Sequence, residues 1–143
     1  MIRTMAVVLG SLLVAFPVGA APHAAADPSQ YLMRTESGKM RCILHRGHVA
    51  CSPAGPGGFP QAPISPSGSH DNVASVDGSR AFQLEWASAN LPGSNPADDT
   101  ILMYGQTYHL LGWTILPTSD GTRFTDDGTG HGMFVSVENV YSF

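Results

Sequence analysis

The run from Asp126 to His131 holds the residue types best suited to chemistry in this sequence. It reads Asp126-Asp127-Gly128-Thr129-Gly130-His131. A histidine beside carboxylates can act as a general base with an orienting partner, or can join them in a metal site with oxygen donors. The same residues are also typical of a tight hairpin turn, because glycine readily adopts positive φ. We expect a turn here, and His131, Asp126 and Asp127 are the catalytic candidates.

Two further histidines, His45 and His48, flank the dipeptide Arg46-Gly47. If that dipeptide is a hairpin turn, the two imidazoles are cross-strand neighbours, close enough to share Zn²⁺ or Cu²⁺. A protein zinc site needs a third ligand, and none is evident in the nearby sequence. We expect an exposed polar pair, with His45 and His48 as the candidate metal ligands.

Signals for nucleophilic catalysis and for cofactors are lacking in the sequence. It has no Gly-x-Ser-x-Gly motif and no glycine-rich phosphate loop that opens a helix. We therefore expect no cofactor. Four aromatic residues in strand-like segments are of the types that bind sugars or peptides on β surfaces: Trp86, Tyr104, Tyr108 and Trp113. Such residues more often fill a core, and that is our expectation here.

Cys42 and Cys51 are the only cysteines of the chain. Strand-like runs, Met40–Leu44 and His48–Ser52, lie on either side of Arg46-Gly47. With a two-residue turn, Cys42 pairs with Cys51 at a non-hydrogen-bonded position, where side chains are closest and a cross-strand bridge fits. A redox pair or two metal ligands would favour C-x-x-C spacing instead. The sequence predicts a disulfide, with the two Cα atoms about 5–6 Å apart.

The N-terminus has the three parts of a secretory signal peptide. Arg3 gives a positive start, an uncharged apolar run covers Met5–Phe16, and small residues follow. The A-x-A pattern at residues 24–26 predicts a signal peptide over 1–26 with cleavage before Asp27, and a cut after Ala20 is the alternative. No cysteine or twin arginine lies near, so we expect the general secretory route to the cell envelope or the medium. An uncleaved anchor is the competing interpretation, but the apolar run is too short to span a bilayer.

Residues 27–143 have the length of a single domain and an acidic charge balance. Arg3 is the one charged residue before position 27, so six Lys/Arg face eleven Asp/Glu, a net charge of −5. Nucleic acid is not an expected partner, because phosphate binding needs clustered cations. Four cations do fall in one short stretch: Arg34, Lys39, Arg41 and Arg46. We expect them to form a solvated face of the hairpin. No second apolar run reaches membrane length, so we expect no transmembrane segment in the mature chain.

Turn residues divide the rest of the sequence into short strand-like segments. These are Arg80–Trp86, Ile101–Tyr104, Tyr108–Ile115, Thr122–Thr125 and Met133–Phe143. Residues 52–69 contain five prolines and predict a long Pro/Gly-rich surface loop. Helical apolar spacing does not extend over three turns anywhere after the signal peptide. The pattern predicts one all-β domain over 27–143, a small sandwich or compact barrel that opens with the disulfide-bridged hairpin.

Three motifs follow one another along the chain. They are Ser37-Gly38-Lys39-Met40-Arg41-Cys42 with Cys51 soon after, Asp99-Thr100-Ile101-Leu102-Met103-Tyr104-Gly105-Gln106-Thr107, and Thr129-Gly130-His131-Gly132-Met133-Phe134. This order resembles that of a family of small secreted actinobacterial proteins of mycobacterial exported type, largely of unknown function. Many relatives have a further cysteine pair where this chain has Ile115 and Phe124. The resemblance implies that core packing replaces a structural bridge there, and it carries over no enzymatic activity.

Together these observations favour an exported, non-enzymatic protein that binds an envelope protein, glycan or lipid through its loops. The alternative is a small hydrolase or metal-dependent enzyme centred on His131 with Asp126 or Asp127. Geometry separates the two, because an enzyme needs His131 in a cleft with a carboxylate within hydrogen-bond reach.

Overall fold

A computed structural model describes residues 28–93 and 95–143, and the predicted signal peptide and both cleavage positions lie outside this part of the chain. Eleven strands and two short 3-10 helices are present in the described residues. None of the helices there is long and apolar enough to cross a membrane. The 3-10 helices are Gly78–Arg80 and Pro96–Asp98. The strands are β1 (Gln30–Thr35), β2 (Met40–His45), β3 (His48–Pro53), β4 (Val73–Asp77), β5 (Glu85–Ala87), β6 (Thr100–Leu102), β7 (Tyr108–Leu110), β8 (Trp113–Thr118), β9 (Gly121–Asp126), β10 (Gly132–Val135) and β11 (Val140–Ser142).

The strands form two sheets, the first from β1 to β6 and the second from β7 to β11. The first sheet has the order β5-β4-β3-β2-β1-β6, in which neighbours are antiparallel except for the parallel pair β1 and β6. The second sheet is an antiparallel meander with the order β11-β10-β9-β8-β7. The all-β prediction is confirmed, and because both sheets are open the architecture is a sandwich and not a closed barrel.

One hydrophobic core fills the space between the sheets. Met33, Leu44 and Val49 face it from the first sheet, and Trp113 and Met133 face it from the second, all fully buried. The alternation of buried and exposed positions along β8 and β9 is what a sheet with one buried face requires. Burial of each such side chain contributes about 1.5–3 kcal/mol.

The predicted hairpin register is confirmed residue by residue. His45 faces His48 across the turn, and Cys42 faces Cys51 further along the strands. The disulfide joins Cys42 to Cys51, with the Cα atoms 4.1 Å apart. The predicted Cα–Cα distance of about 5–6 Å was too long. Facing residues of a non-hydrogen-bonded antiparallel pair have Cα atoms only about 4.5 Å apart.

Ile115 and Phe124 occupy facing positions on β8 and β9 and are fully buried. They belong to the same core cluster as the disulfide. An apolar pair thus stands at the two positions where the resemblance implies a replaced cysteine bridge.

The predicted strand Arg80–Trp86 is wrong over most of its length. A 3-10 helix ends at Arg80, and both Ala81 and Phe82 have positive φ, 54° and 53°. Residues with a Cβ rarely adopt this conformation, and the chain does so here while burying the Phe82 side chain. Only Glu85–Ala87 is strand.

Two predicted single strands are in fact hairpins. Tyr108–Ile115 turns at Leu111 and Gly112, whose positive φ values of 51° and 81° are those of a type I′ turn. Met133–Phe143 turns between β10 and β11, where the Ser136 amide donates to the Asn139 carbonyl oxygen. The strands β1 and β4 were not predicted.

The Pro/Gly-rich loop is anchored into the core. Phe59 is fully buried and packs edge-on against Trp86, with ring centroids 5.4 Å apart. Gln61 Nε2 donates to the carbonyl oxygen of Val140 in the second sheet at 3.0 Å. Residues 52 and 53 of the predicted loop end β3, and the remainder lies outside the two sheets. The prediction of a surface loop is wrong for its middle, which is buried and closes one end of the sandwich.

Candidate functional site

Asp126 serves as the cap of the turn that follows β9. Its Oδ1 accepts hydrogen bonds from the backbone amides of Gly128 and Thr129, at 3.1 and 3.0 Å, and from the Thr129 hydroxyl at 3.0 Å. The amide of Gly130, which has φ of 76°, donates to the Asp126 carbonyl oxygen. The predicted turn is therefore present, and the carboxylate is occupied in holding it.

Neither Asp126 nor Asp127 is the hydrogen-bond partner of His131. Asp127 Oδ1 instead accepts from the Thr114 hydroxyl at 2.6 Å. His131 Nδ1 lies 3.1 Å from the carbonyl oxygen of Phe143, which it reaches as the protonated donor. The imidazole stacks on the Phe82 ring on its other side, with centroids 6.1 Å apart. The contact between the imidazole and a carboxylate that the enzyme alternative requires is not formed with Asp126 or Asp127, because the turn engages Asp126 and Thr114 engages Asp127.

His45 and His48 are cross-strand neighbours as predicted, with ring centroids 5.9 Å apart. Partial burial lowers the pKa of His48 below its ordinary value, the Asp77 carboxylate opposes that shift, and His45 adds to it. Within residues 28–93 and 95–143, no group of three His, Cys, Asp or Glu side chains is placed to hold a metal ion. The structure brings the two candidate ligands together without a third.

The aromatic candidates lie in different parts of the sandwich. Trp113 is fully buried and donates from Nε1 to the His45 carbonyl oxygen at 2.9 Å, which ties the two sheets together. Trp86 and Tyr108 are partly buried against the core. Tyr108 also receives a hydrogen bond from the Met103 amide on its hydroxyl. Core packing is confirmed for Trp113 and, with partial burial, for Trp86 and Tyr108. Tyr104 is not part of the core cluster, and its hydroxyl accepts a hydrogen bond from the Ser37 amide.

The outer face of the first sheet carries a second, smaller apolar cluster. Ile43, Ala50 and Val73 are buried there, and Leu91 packs over them. Leu91 belongs to the crossover segment, residues 88–93 and 95–99, which connects β5 to β6. The crossover segment therefore covers a face of the sheet that the core does not use.

Asp71 and Asn72, which follow the Pro/Gly-rich loop and lead into β4, are joined to the crossover segment. Asn72 Nδ2 donates to the Ala89 carbonyl oxygen at 2.7 Å, and the Ala89 amide donates back to Asn72 Oδ1 at 3.0 Å. The Ser88 hydroxyl donates to Asp71 Oδ1 at 2.6 Å. Between these segments and the sheet lies a cavity of about 330 Å³, which we call the outer cavity. Its lining includes Arg34, Arg41, Ser52, Asn72, Asn90 and Leu91.

A bidentate ion pair borders the outer cavity. Arg41 donates from Nε to Asp99 Oδ2 at 2.6 Å and from Nη2 to Asp99 Oδ1 at 2.9 Å. The side chain of Asp99 is 1% exposed and that of Arg41 is 18% exposed. These hydrogen bonds raise the pKa of the Arg41 guanidinium above its ordinary value. Arg41 Nη1 also donates to the Gly93 carbonyl oxygen, so this side chain holds the crossover segment at two points.

The prediction that the four cations form a solvated face is therefore wrong for Arg41, which is paired with the buried Asp99. It is also incomplete for Arg34, whose Nε is buried and has no hydrogen-bond partner among the described residues. The alternation of β1 and β2 places both arginines on the face opposite Cys42, but no local signal shows that a distant segment covers that face. In the sequence, only Asp99 at the start of the Asp99–Thr107 motif indicated a possible partner for these arginines.

Known proteins offer no guide to this site: no family model, curated protein or solved structure gives a significant match to this chain.

Proposed function

We propose that this chain is an exported, non-enzymatic binding protein of the cell envelope or medium, which holds part of an envelope protein, glycan or lipid through its loops. The observation that carries the proposal is the outer cavity, where Asn72 ties the chain that follows the Pro/Gly-rich loop to Ala89 of the crossover segment. Two segments that brace each other on a rigid sheet form a preorganised binding surface, which lowers the entropic cost of binding.

The arrangement of the catalytic candidates supports binding over catalysis. A general base needs an orienting partner and a cleft for the substrate. His131 has the main-chain oxygen of Phe143 as its partner, and the carboxylates of Asp126 and Asp127 are engaged in turn and hairpin contacts. The side chain is exposed and is not part of the lining of the outer cavity.

Export rests on the sequence of the first 26 residues and on the disulfide. A bridge between Cys42 and Cys51 is compatible with an oxidising compartment outside the cytosol. The resemblance to secreted actinobacterial proteins points the same way. N-terminal sequencing of the released protein should give Asp27 as the first residue, or Ala21 from the alternative cut, and a start at Met1 would contradict release.

Binding is tested by capture from a cell-envelope lysate with the purified exported protein as bait. Asn72→Ala removes both side-chain hydrogen bonds between Asn72 and Ala89 and should lower the yield of the captured partner at least several-fold. His131→Asn, which lies outside the loops, is the matched control and should retain it. A broad hydrolase screen of the same protein completes the test, because turnover abolished by His131→Asn with the fold intact would establish the enzyme instead.

A further inference from the structure

Arg34 and Arg41 face each other on β1 and β2, and both line the outer cavity. Like charges at facing positions of an antiparallel pair repel each other. Asp99 neutralises Arg41, whereas Arg34 forms no ion pair with any described residue. No carboxylate side chain lines the cavity within the described part of the chain. The cavity wall therefore carries one positive charge without a counter-charge.

The Nε–H of Arg34 is a hydrogen-bond donor without an acceptor. The atom is buried, and no described residue accepts its hydrogen bond. Nearly all buried donors in folded proteins have a partner, because an unpaired one loses its hydration without compensation. Because the Nε atom is not exposed in this structure, a ligand in the outer cavity would meet this guanidinium through its other donors.

The rest of the lining defines what else that ligand carries. The Ser52 hydroxyl makes only long contacts of 3.5 Å, to the Pro53 carbonyl oxygen and from Asn72 Nδ2. It is therefore free to form a shorter hydrogen bond, and Asn90 adds an amide to the same lining. Leu91 supplies an apolar wall. A volume of about 330 Å³ suits a small molecule or one terminal unit of a polymer.

We propose that the outer cavity binds a carboxylate group, which the guanidinium of Arg34 holds through its planar fork while Ser52 and Asn90 bind neighbouring polar atoms. The proposal rests on the proposed function, since it names the ligand chemistry of the same loops. A single positive charge without a counter-charge matches a monoanion better than a dianionic phosphate. The planar guanidinium can also donate two parallel hydrogen bonds to the two oxygens of a carboxylate. A uronic sugar and the C-terminal residue of a peptide both present this chemistry.

The test is an NMR titration of the purified protein, with the Arg34 Nε–H resonance as the site-specific signal. The probes are sodium glucuronate and sodium N-acetylalaninate, with glucose and N-acetylalaninamide as their uncharged counterparts and inorganic phosphate as the dianion. We expect one of the two carboxylates to shift this resonance saturably at millimolar concentration, together with the Asn90 and Leu91 amides. The better carboxylate identifies the source as sugar or peptide.

Arg34→Gln should weaken that binding at least tenfold, because a charged hydrogen-bonding group is lost. Arg46→Gln removes the same charge from the hairpin turn, away from the cavity, and should leave the affinity unchanged. Arg34→Lys retains the positive charge but lacks the planar guanidinium, so it should weaken binding several-fold. If Arg34→Gln does not fold, Arg34→Lys is used in its place.

Four outcomes would overturn the carboxylate site. They are no saturable shift with either carboxylate, equal shifts with the uncharged counterparts, tighter binding of phosphate, and equal losses in Arg34→Gln and Arg46→Gln. Failure here is distinct from failure of the proposed function. If capture depends on Asn72 but neither carboxylate shifts the resonance, only the carboxylate site is contradicted. If a carboxylate shifts the resonance and the protein also shows hydrolase activity, only the non-enzymatic assignment is contradicted.

Discussion

Arg41 and Asp99 are 58 residues apart in the chain and form two parallel hydrogen bonds between guanidinium and carboxylate. Asp99 directly precedes β6, which pairs in parallel with β1. Arg41 lies on β2, the other neighbour of β1. The pair therefore holds the end of the crossover segment against the outer face of the first sheet, where it positions both β6 and the wall of the outer cavity.

Arg41→Met should destabilise the fold by about 3–5 kcal/mol, because it leaves the Asp99 carboxylate buried without a partner. The double variant Arg41→Met/Asp99→Leu should recover most of that loss, since it removes both charges at once. Urea unfolding of the two variants beside the wild type gives the comparison. A double variant as unstable as the single one would show that the pair does not act as a unit.

The disulfide should contribute about 2–3 kcal/mol, because it closes a short loop and restricts the unfolded chain. Replacement of both Cys42 and Cys51 by Ser should lower the free energy of unfolding by that amount and leave carboxylate binding intact. Chemical denaturation measures the first effect and the NMR titration the second. Peptide mapping without reduction provides the control, and two free thiols in exported protein would refute the bridge.

His131→Asn should cost about 1 kcal/mol, through loss of the hydrogen bond to the Phe143 carbonyl oxygen and of the stacking on Phe82. Thermal melts measure this loss. His109→Asn, which alters an exposed histidine on β7, is the control for imidazole removal in general. An unchanged melting temperature in His131→Asn would contradict the structural role assigned to this residue.

Stability should decline as the pH falls below 6.5, in part because of His48. Burial lowers its pKa in the folded state below the ordinary value of 6.5, so the ring is neutral in both states above that pH. Below it, the unfolded chain takes up a proton that the folded chain binds only at lower pH, and unfolding is favoured. The contribution is complete above 6.5 and is lost as the pH falls through the folded-state pKa.

The check is thermal unfolding over a series from about pH 8 to about pH 5, a range that brackets histidine titration. His48→Gln should show a shallower decline than the wild type, and His109→Gln should follow the wild type. Asp77 titrates in a separate window, because hydrogen bonds from Ser79 lower its pKa below 3.8. A decline of the same slope in all three proteins would exclude His48 as its source.

The sequence alone was sufficient for features whose interactions are local. The register of the first hairpin, the Cys42–Cys51 bridge and the turn after Asp126 each depend on residues within about ten positions of one another. Turn chemistry and the two-residue alternation of strands determine such features, so they can be read directly. The all-β class followed from the same alternation repeated along the chain.

Other features were decided only by tertiary structure. The positive φ of Leu111 and Phe82 is not indicated by residue type, because neither residue favours that conformation. Leu111 adopts it in the type I′ turn with Gly112, and Phe82 adopts it while its side chain is buried in the core. The partner of His131 is Phe143, twelve positions further along, which β11 brings back beside β10. The pairing of Arg41 with Asp99 and the isolation of Arg34 depend on which segment crosses which face of a sheet. The alternation of residues along a strand shows which side chains share a face of the sheet, but only long-range packing determines which segment covers that face.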